Sequence, residues 1–434
     1  MNNPHTWKNY RWIVCSLLFL ATTINYVDRQ VLSLLKPTLS EEFGWTELDY
    51  SHIVMSFSAA YAVGYLLFGW IVDRVGTKIG YSLSVLFWSL AAMGHALAKT
   101  TLGFGFMRGL LGVSEAGNFP TAVKTTAEWF PKKERAFATG IFNSGTNVGA
   151  LVAPIAIPWI LGVYGWQMAF VLTGLLGLVW LTAWFFLYEV PSRQRRVSQQ
   201  ELEIIQSDDE KNDNPSTPVI PWISLLRMRQ TWAYILGKLF TDPIWYFLLF
   251  WLPAYFAEVY GVDLRKPSLE LALIYSATTI GSIGGGYLSS WLIRKGWEVY
   301  RARRTAMLWF ALAVTPVMLV RFTDQVWIAV LFMSLAAAAH QAWSANIMTT
   351  VSDQFPGSSV SSVAGIGGMA GSIGGILFPL LVGNLLDHYK QIGQLSAGYN
   401  MLFLIGGLAY LVAWGVMGIV NKERRVHRPP KPLA

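Results

Sequence analysis

Charge is scarce in this chain. Of its 434 residues only 13% are charged, while 53% are apolar; a soluble domain carries roughly 25% charge. Whole stretches have none, among them Leu83–Leu97 and Ala136–Tyr188. That excludes a soluble globular fold. Only helices and closed barrels satisfy their backbone in hydrocarbon, and these runs are far longer than the ~9–11 residues of a barrel strand. An all-α integral membrane protein is therefore expected. Cysteine is almost absent, and Cys15 alone excludes an intramolecular disulfide. No small-residue cleavage site follows the apolar stretch from Trp12, which is too long for a signal-peptide core, so no cleavable signal is expected. Missing too are a nucleophile motif, a metal-spaced His/Cys set and a phosphate loop. An enzyme is not expected, nor a cofactor or a metal, and the one long polar segment is too short for the soluble domain of a receptor.

What is present is a succession of apolar segments, each near the ~20 residues that cross ~30 Å as a helix. Twelve spans are expected, at 12–35, 51–72, 79–98, 102–123, 137–160, 166–188, 231–257, 268–293, 304–321, 325–350, 359–386 and 398–420. The net charge of +8 could suggest nucleic acid, but its distribution follows topology. Six of the 33 Lys and Arg fall on outer loops (Lys36, Lys99, Arg265, Lys266, Arg321, Lys390), three in spans (Arg29, Arg108, Lys238), and the other 24 on inner loops and tails. This positive-inside bias puts both termini in the cytoplasm. A multi-pass protein of a bacterial inner membrane, acting as a monomer in the lipid bilayer, is expected.

The charged, proline-containing segment after residue 188 divides the chain. We expect an N-terminal six-helix bundle at 1–188, a cytoplasmic linker at 189–228, a C-terminal six-helix bundle at 229–421 and a tail at 422–434. A shift of 225 residues brings the halves into register. Phe130-Pro131 falls on Phe355-Pro356, Gly140 on Gly365, Gly149 on Gly374, Pro154 on Pro379 and Glu128 on Asp353. Six spans per half give both halves the same orientation, as in parallel-repeat transporters with a site between the halves. Glycines cluster at 281–286 and 365–375, where they permit close helix approach.

Charges inside spans cost at least ~2.5–3.5 kcal/mol each on insertion scales, and persist when paired, hydrated or used. Arg108 and Glu115 are seven residues apart, so they share a helix face at ~10 Å separation; one can hold an anion while the other titrates, or each can pair with a neighbouring helix. Asp28 and Arg29 are adjacent and diverge by about 100°. Arginine matches a carboxylate with its fork and stays charged anywhere. A carboxylic acid responds to burial and to a nearby arginine in opposite senses, which suits coupling to protons. Lys238 and Asp242 have the spacing of an i,i+4 pair. Neutral groups that could meet a polar solute are Tyr26, Tyr61, Asn118, Thr146 and Asn147 in the first half, and Gln341, Asn346 and Ser372 in the second; the alternative for each is a helix–helix hydrogen bond. His340 falls in register with Glu115, though a lone buried histidine is usually just satisfied. Most of the 20 tryptophans should form interfacial belts, with Trp251 or Trp343 able to stack on a solute.

Several motifs resemble those of a known family. Gly69-Trp-Ile-Val-Asp73-Arg74-Val-Gly76-Thr-Lys78 resembles the signature loop of the major facilitator superfamily, between its second and third helices. Asn25-Tyr26-Val-Asp28-Arg29 and Arg108-Gly-Leu-Leu-Gly-Val-Ser-Glu115-Ala-Gly-Asn118-Phe-Pro120 resemble its anion:cation symporter branch. Glu128-Trp-Phe-Pro-Lys-Lys-Glu-Arg135, Trp166-Gln-Met-Ala-Phe170 and Ala339-His-Gln-Ala342 resemble the hexuronate transporters within that branch. The resemblance covers nearly the whole chain. It implies a major facilitator fold and proton-coupled symport of a sugar-acid anion, glucuronate or galacturonate, with galactonate, glucarate or another small organic anion as alternatives. It implies that Arg29 and Arg108 hold the substrate carboxylate, that Asp28 and Glu115 couple protons, and that Tyr26, Tyr61 and Thr146 line the site. It also implies that Asp73, Arg74, Gly76 and Lys78 form a cytoplasmic gate. The chain departs from galactonate-type relatives at Thr146 and Ser372, and from some hexuronate relatives at Asp28.

Overall fold

The computed structural model describes residues 7–208, 220–262 and 268–421. The expected tail at 422–434, positions 209–219 of the linker, and the loop cations Arg265 and Lys266 lie outside the described residues.

The first half comprises α1 (Tyr10–Phe43), α2 (Glu47–Val75), α3 (Thr77–Gly94), α4 (Thr101–Glu115), α5 (Asn118–Trp129), α6 (Lys132–Tyr164) and α7 (Trp166–Leu187). Two short helices follow, α8 (Gln199–Ile205) and α9 (Trp222–Arg227). The second half comprises α10 (Arg229–Phe250), α11 (Leu252–Tyr260), α12 (Leu269–Arg294), α13 (Val299–Val314), α14 (Val326–Gln354), α15 (Val360–Gln391) and α16 (Leu395–Val420). Among the described residues, nine helices are long and apolar enough to cross a membrane. The other three expected spans are α4 with α5, α10 with α11, and α12. They carry the helix breaks, or the Gly, Ser and Thr residues that dilute apolar character.

Two expected spans are broken rather than continuous. The span expected at 102–123 parts between Glu115 and Asn118. Pro120 has no N–H for the Ala116 carbonyl, and a Cβ on Gly117 would lie 2.5 Å from Ser84 Oγ and 2.8 Å from the Phe68 ring. Glu115 is thereby left at a helix end. The span expected at 231–257 parts at Trp251, with Pro253 in the first turn of α11. The expected tryptophan belt is also only partial. Trp70, Trp159, Trp291, Trp309 and Trp327 are exposed, whereas Trp88, Trp129, Trp184 and Trp343 are fully buried.

The internal register is visible in three dimensions. Pro154 lies within α6 and Pro379 within α15. Gly140 on α6 would put a Cβ 2.3 Å from the Ser282 carbonyl oxygen on α12. Its counterpart Gly365 on α15 would put one 2.2 Å from the Tyr65 carbonyl oxygen on α2. Each glycine thus lets one half press its backbone onto the other, and the two contacts are related by the repeat. Gly286 against Ala136 and Gly69 against Ser361 close the same seams: a Cβ on each would fall 2.1 Å and 2.6 Å, respectively, from the facing carbonyl oxygen.

Candidate transport site

Near the Asp73 end, the halves are sealed together. Gly76 turns the chain between α2 and α3 at φ +84°, a conformation glycine adopts without strain. The Asp73 carboxylate, at the last turn of α2, accepts from the Ser361 N–H at 3.2 Å and the Ser362 N–H at 2.7 Å. These are N–H groups at the start of α15, where a helix favours negative charge. Lys124 Nζ lies 2.8 Å from Asp73 Oδ1. The sequence places Lys124 just past a span edge, among the inner-loop cations. In the structure it is buried within α5, as Asp73's counter-ion. Lys78 pairs with Glu189 at 3.0 Å, and the Arg74 guanidinium sits 4.2 Å from the Trp70 ring centroid. Further across the seam, Arg135 Nη1 donates to the Ser352 carbonyl at 2.6 Å and Arg303 Nη2 to that of Lys132 at 2.7 Å.

Above this seal lies a narrow cavity of about 70 Å³, lined by both halves. Tyr26, Arg29, Tyr61, Tyr65, Asn143 and Thr146 come from the first half. Tyr234, Lys238, Asp242, Trp245, Tyr246, His340 and Gln341 come from the second. The Arg29 guanidinium lies among the rings of Tyr26 (4.7 Å), Phe57 (5.1 Å) and Tyr61 (4.6 Å). Cation–π contact of this kind fixes a guanidinium without consuming its donors. Its Nη2 reaches Glu115 Oε2 at 3.1 Å. Arg108 does not line the cavity. It stands behind, with Nη2 donating to the Arg29 carbonyl at 2.8 Å and its guanidinium 4.8 Å from the Phe57 ring. Glu115 therefore pairs with Arg29 on another helix and not with Arg108 on its own. Asp28 is buried on the far side of α1, within electrostatic reach of Glu115 and Arg108 and facing Thr173 on α7. Buried atoms with no protein hydrogen-bond partner include both Asp28 oxygens, Glu115 Oε1, and Nε and Nη1 of Arg108.

The neutral candidates separate into two groups. Tyr26, Tyr61, Thr146 and Gln341 line the cavity. Asn118, Asn147, Asn346 and Ser372 do not. Asn118 joins helices, accepting from the Tyr81 hydroxyl and donating to Thr22 at 3.4 Å. Asn346 donates to the Gly285 carbonyl at 3.0 Å, and Ser372 to that of Gly368 at 2.9 Å within its own helix. Asn147 accepts from Thr146 at 3.4 Å. Of the aromatic candidates, Trp343 packs on Tyr410 and Trp251 does not line the cavity; Trp245 does, stacked on His340 at 4.8 Å. His340 Nδ1 is satisfied by the Tyr410 hydroxyl at 2.5 Å. Sequence reasoning missed Asn143, which donates across the cavity to Gln341 at 2.8 Å. It also missed Tyr65, whose ring a Cβ on Gly368 would meet at 2.5 Å. The Phe57–Tyr61–Tyr65 spacing and the Asn143–Thr146 spacing were the available signals, since each places its members on one helix face.

Two related six-helix halves, sealed at one end around a central cavity lined with fixed charges and hydroxyls, define a membrane transporter and not an enzyme. A family model described as "Major Facilitator Superfamily" matches residues 18–379, and the chain belongs to that superfamily. It is 32% identical over 435 residues to the "Hexuronate transporter" of Escherichia coli (strain K12), covering 98% of this chain and 99% of that one. It is 28% identical over 439 residues to the "Probable galactarate/D-glucarate transporter GudP" of Bacillus subtilis (strain 168), covering 98% and 96%. Among solved structures it resembles the proton:xylose symporter XylE, with a TM-score of 0.74 at 15% identity over 94% of this chain and 95% of that one.

Proposed function

We propose that this protein imports a sugar-acid anion, a hexuronate such as glucuronate or galacturonate, together with protons by alternating access in a bacterial inner membrane. The observation that carries the reading is the Arg29–Glu115 pair, 3.1 Å apart at the cavity wall. Arg29 is a cation held in place by three rings, and its anionic partner is exchangeable. A substrate carboxylate entering the cavity takes over the Arg29 fork. Glu115, with no other partner for Oε1, then keeps its buried site neutral by accepting a proton. Asp28 is the second proton acceptor of the same cluster, and Arg108 keeps Arg29 in position through its carbonyl. Tyr26, Tyr61, Asn143, Thr146 and Gln341 meet the sugar hydroxyls. The similarity to a hexuronate transporter over nearly the whole of both chains supports the choice of cargo.

The Asp73 end is the cytoplasmic gate, closed here, so the cavity belongs to the outward-facing part of the cycle; both termini are cytoplasmic. An anion entering an inside-negative cell climbs about 2.3 kcal/mol per 100 mV, which one accompanying proton cancels. Proteoliposomes held acidic outside should accumulate labelled hexuronate and lose it when a protonophore is added. Uptake indifferent to the gradient would overturn the symport, and a screen of uronates, aldonates and aldarates by thermal shift would expose a different cargo.

A further inference from the structure

The cavity has a second charged pair, on the wall opposite Arg29. Lys238 Nζ and Asp242 Oδ2 lie 2.6 Å apart on α10, and both residues line the cavity. The pair is built in, not a surface accident. A Cβ on Gly371 would fall 2.2 Å from Asp242 Oδ2 and 3.0 Å from its Cγ. The neighbouring α15 glycines serve α10 in the same way. Gly367 leaves room for the Tyr234 ring, Gly374 for Pro243 and Gly375 for the Tyr246 ring. Asp242 is thus pressed against bare backbone on one side and held to an ammonium on the other.

The two walls differ in what they can offer an anion. On the first, Arg29 lines the cavity with Glu115 as its partner, and Arg108 and Asp28 are buried behind it, so each proton loaded onto that cluster leaves a positive charge to be matched. On the second, one lysine faces one carboxylate, and the pair sums to zero. A cavity in which both Arg29 and Lys238 were open would suit a solute with a carboxylate at each end. Here each already has a carboxylate partner, Glu115 on Arg29 and Asp242 on Lys238, and of those two acids it is Asp242 that lines the cavity.

Resting on the sugar-acid reading above, we infer that Asp242 is a built-in counter-anion. It occupies the place on Lys238 that a second substrate carboxylate would take. The transporter therefore accepts sugar acids with one carboxylate and rejects those with two. The uncharged, hydroxylated end of the substrate lies against the pair, where the ammonium donates to hydroxyl oxygens and the carboxylate accepts from hydroxyl hydrogens. A second carboxylate at that end meets Asp242, a like charge in a water-poor site.

The test compares glucuronate, glucarate and glucarate monomethyl ester on the purified full-length protein by isothermal titration calorimetry. The unmodified chain should bind glucarate at least about tenfold more weakly than glucuronate, and masking one carboxylate as the ester should recover most of that loss. Asp242→Asn should shift the glucarate-to-glucuronate ratio of dissociation constants at least about tenfold toward glucarate. The double variant K238Q/D242N should lose that gain, because no cation remains to receive the second carboxylate. Glucarate binding as well as its ester to the unmodified chain would overturn the inference while leaving the sugar-acid reading intact. So would a folded D242N variant whose ratio does not move. If the unmodified chain bound none of the three, nor any other sugar acid, the reading beneath the inference would fall with it.

Discussion

A guanidinium surrounded by three aromatic rings keeps its orientation when its carboxylate partner changes. Arg29 should therefore tolerate replacement poorly. Arg29→Lys removes the fork and the flat ring contacts, and substrate affinity should fall at least about tenfold, equivalent to ~1.4 kcal/mol, in a thermal-shift titration. Glu115→Gln should abolish proton-driven accumulation while sparing exchange of labelled for unlabelled substrate; full accumulation would remove Glu115 from the proposed coupling role. The four charges of this cluster were legible in the sequence because a charge in an apolar span stands out. Their pairing was not. Arg108 and Glu115 share a helix face, yet Glu115 meets Arg29, because the rotation of α1 against α4 decides which side chains converge. Lys124 was hidden by sitting at the edge of an apolar run, where a cation is commonplace. Asn143 was hidden by being neutral, and neutral polar residues in spans usually serve packing, as Asn118 and Asn346 do here.

At the scale of the helix, glycine spacing does more than allow close approach in general. On α15 five glycines each seat a particular group: Gly367 the Tyr234 ring, Gly368 the Tyr65 ring, Gly371 Asp242, Gly374 Pro243 and Gly375 the Tyr246 ring. Gly371→Ala should displace Asp242, since real Cβ atoms do not approach to 2.2 Å. We expect a lower melting temperature, by an amount typical of overpacking at ~1–3 kcal/mol, together with weakened substrate binding. Gly284→Ala, within the glycine cluster of α12, meets nothing within 4 Å and serves as the control, with a melting temperature no lower than that of the parent. The sequence displayed these glycines and the register relating Gly140 to Gly365. The interruptions at Gly117 and Trp251 are marked in the sequence by Gly117, Pro120 and Pro253, but membrane helices tolerate Gly and Pro without parting, so those residues alone did not fix the breaks.

For the whole molecule, in the alternating-access cycle proposed above, the seal at the Asp73 end would set which face of the cavity opens. Asp73→Asn removes charge-assisted bonds to two N–H groups and to Lys124. Losing a hydrogen bond to a charged group costs ~1.5–3 kcal/mol, enough to shift an open–closed equilibrium on the order of ten- to a hundredfold. Spin-label distances between α3 and α13 at that end should broaden toward longer values in the variant. The lone cysteine is buried at 1% exposure, so introduced cysteines can be labelled against a quiet background.

The seam also has a consequence for its environment. Several of its bonds end on peptide groups: Arg135 on the Ser352 carbonyl, Arg303 on that of Lys132, Asp73 on two main-chain N–H groups. Dissolved ions screen exposed charge pairs over about a Debye length, but buried partners far less. The latch should therefore hold equally well in dilute and in concentrated electrolyte, while anion capture in the open cavity weakens as salt rises. Titrating ionic strength would separate the two: one curve for binding that slopes, and one for closure that stays flat.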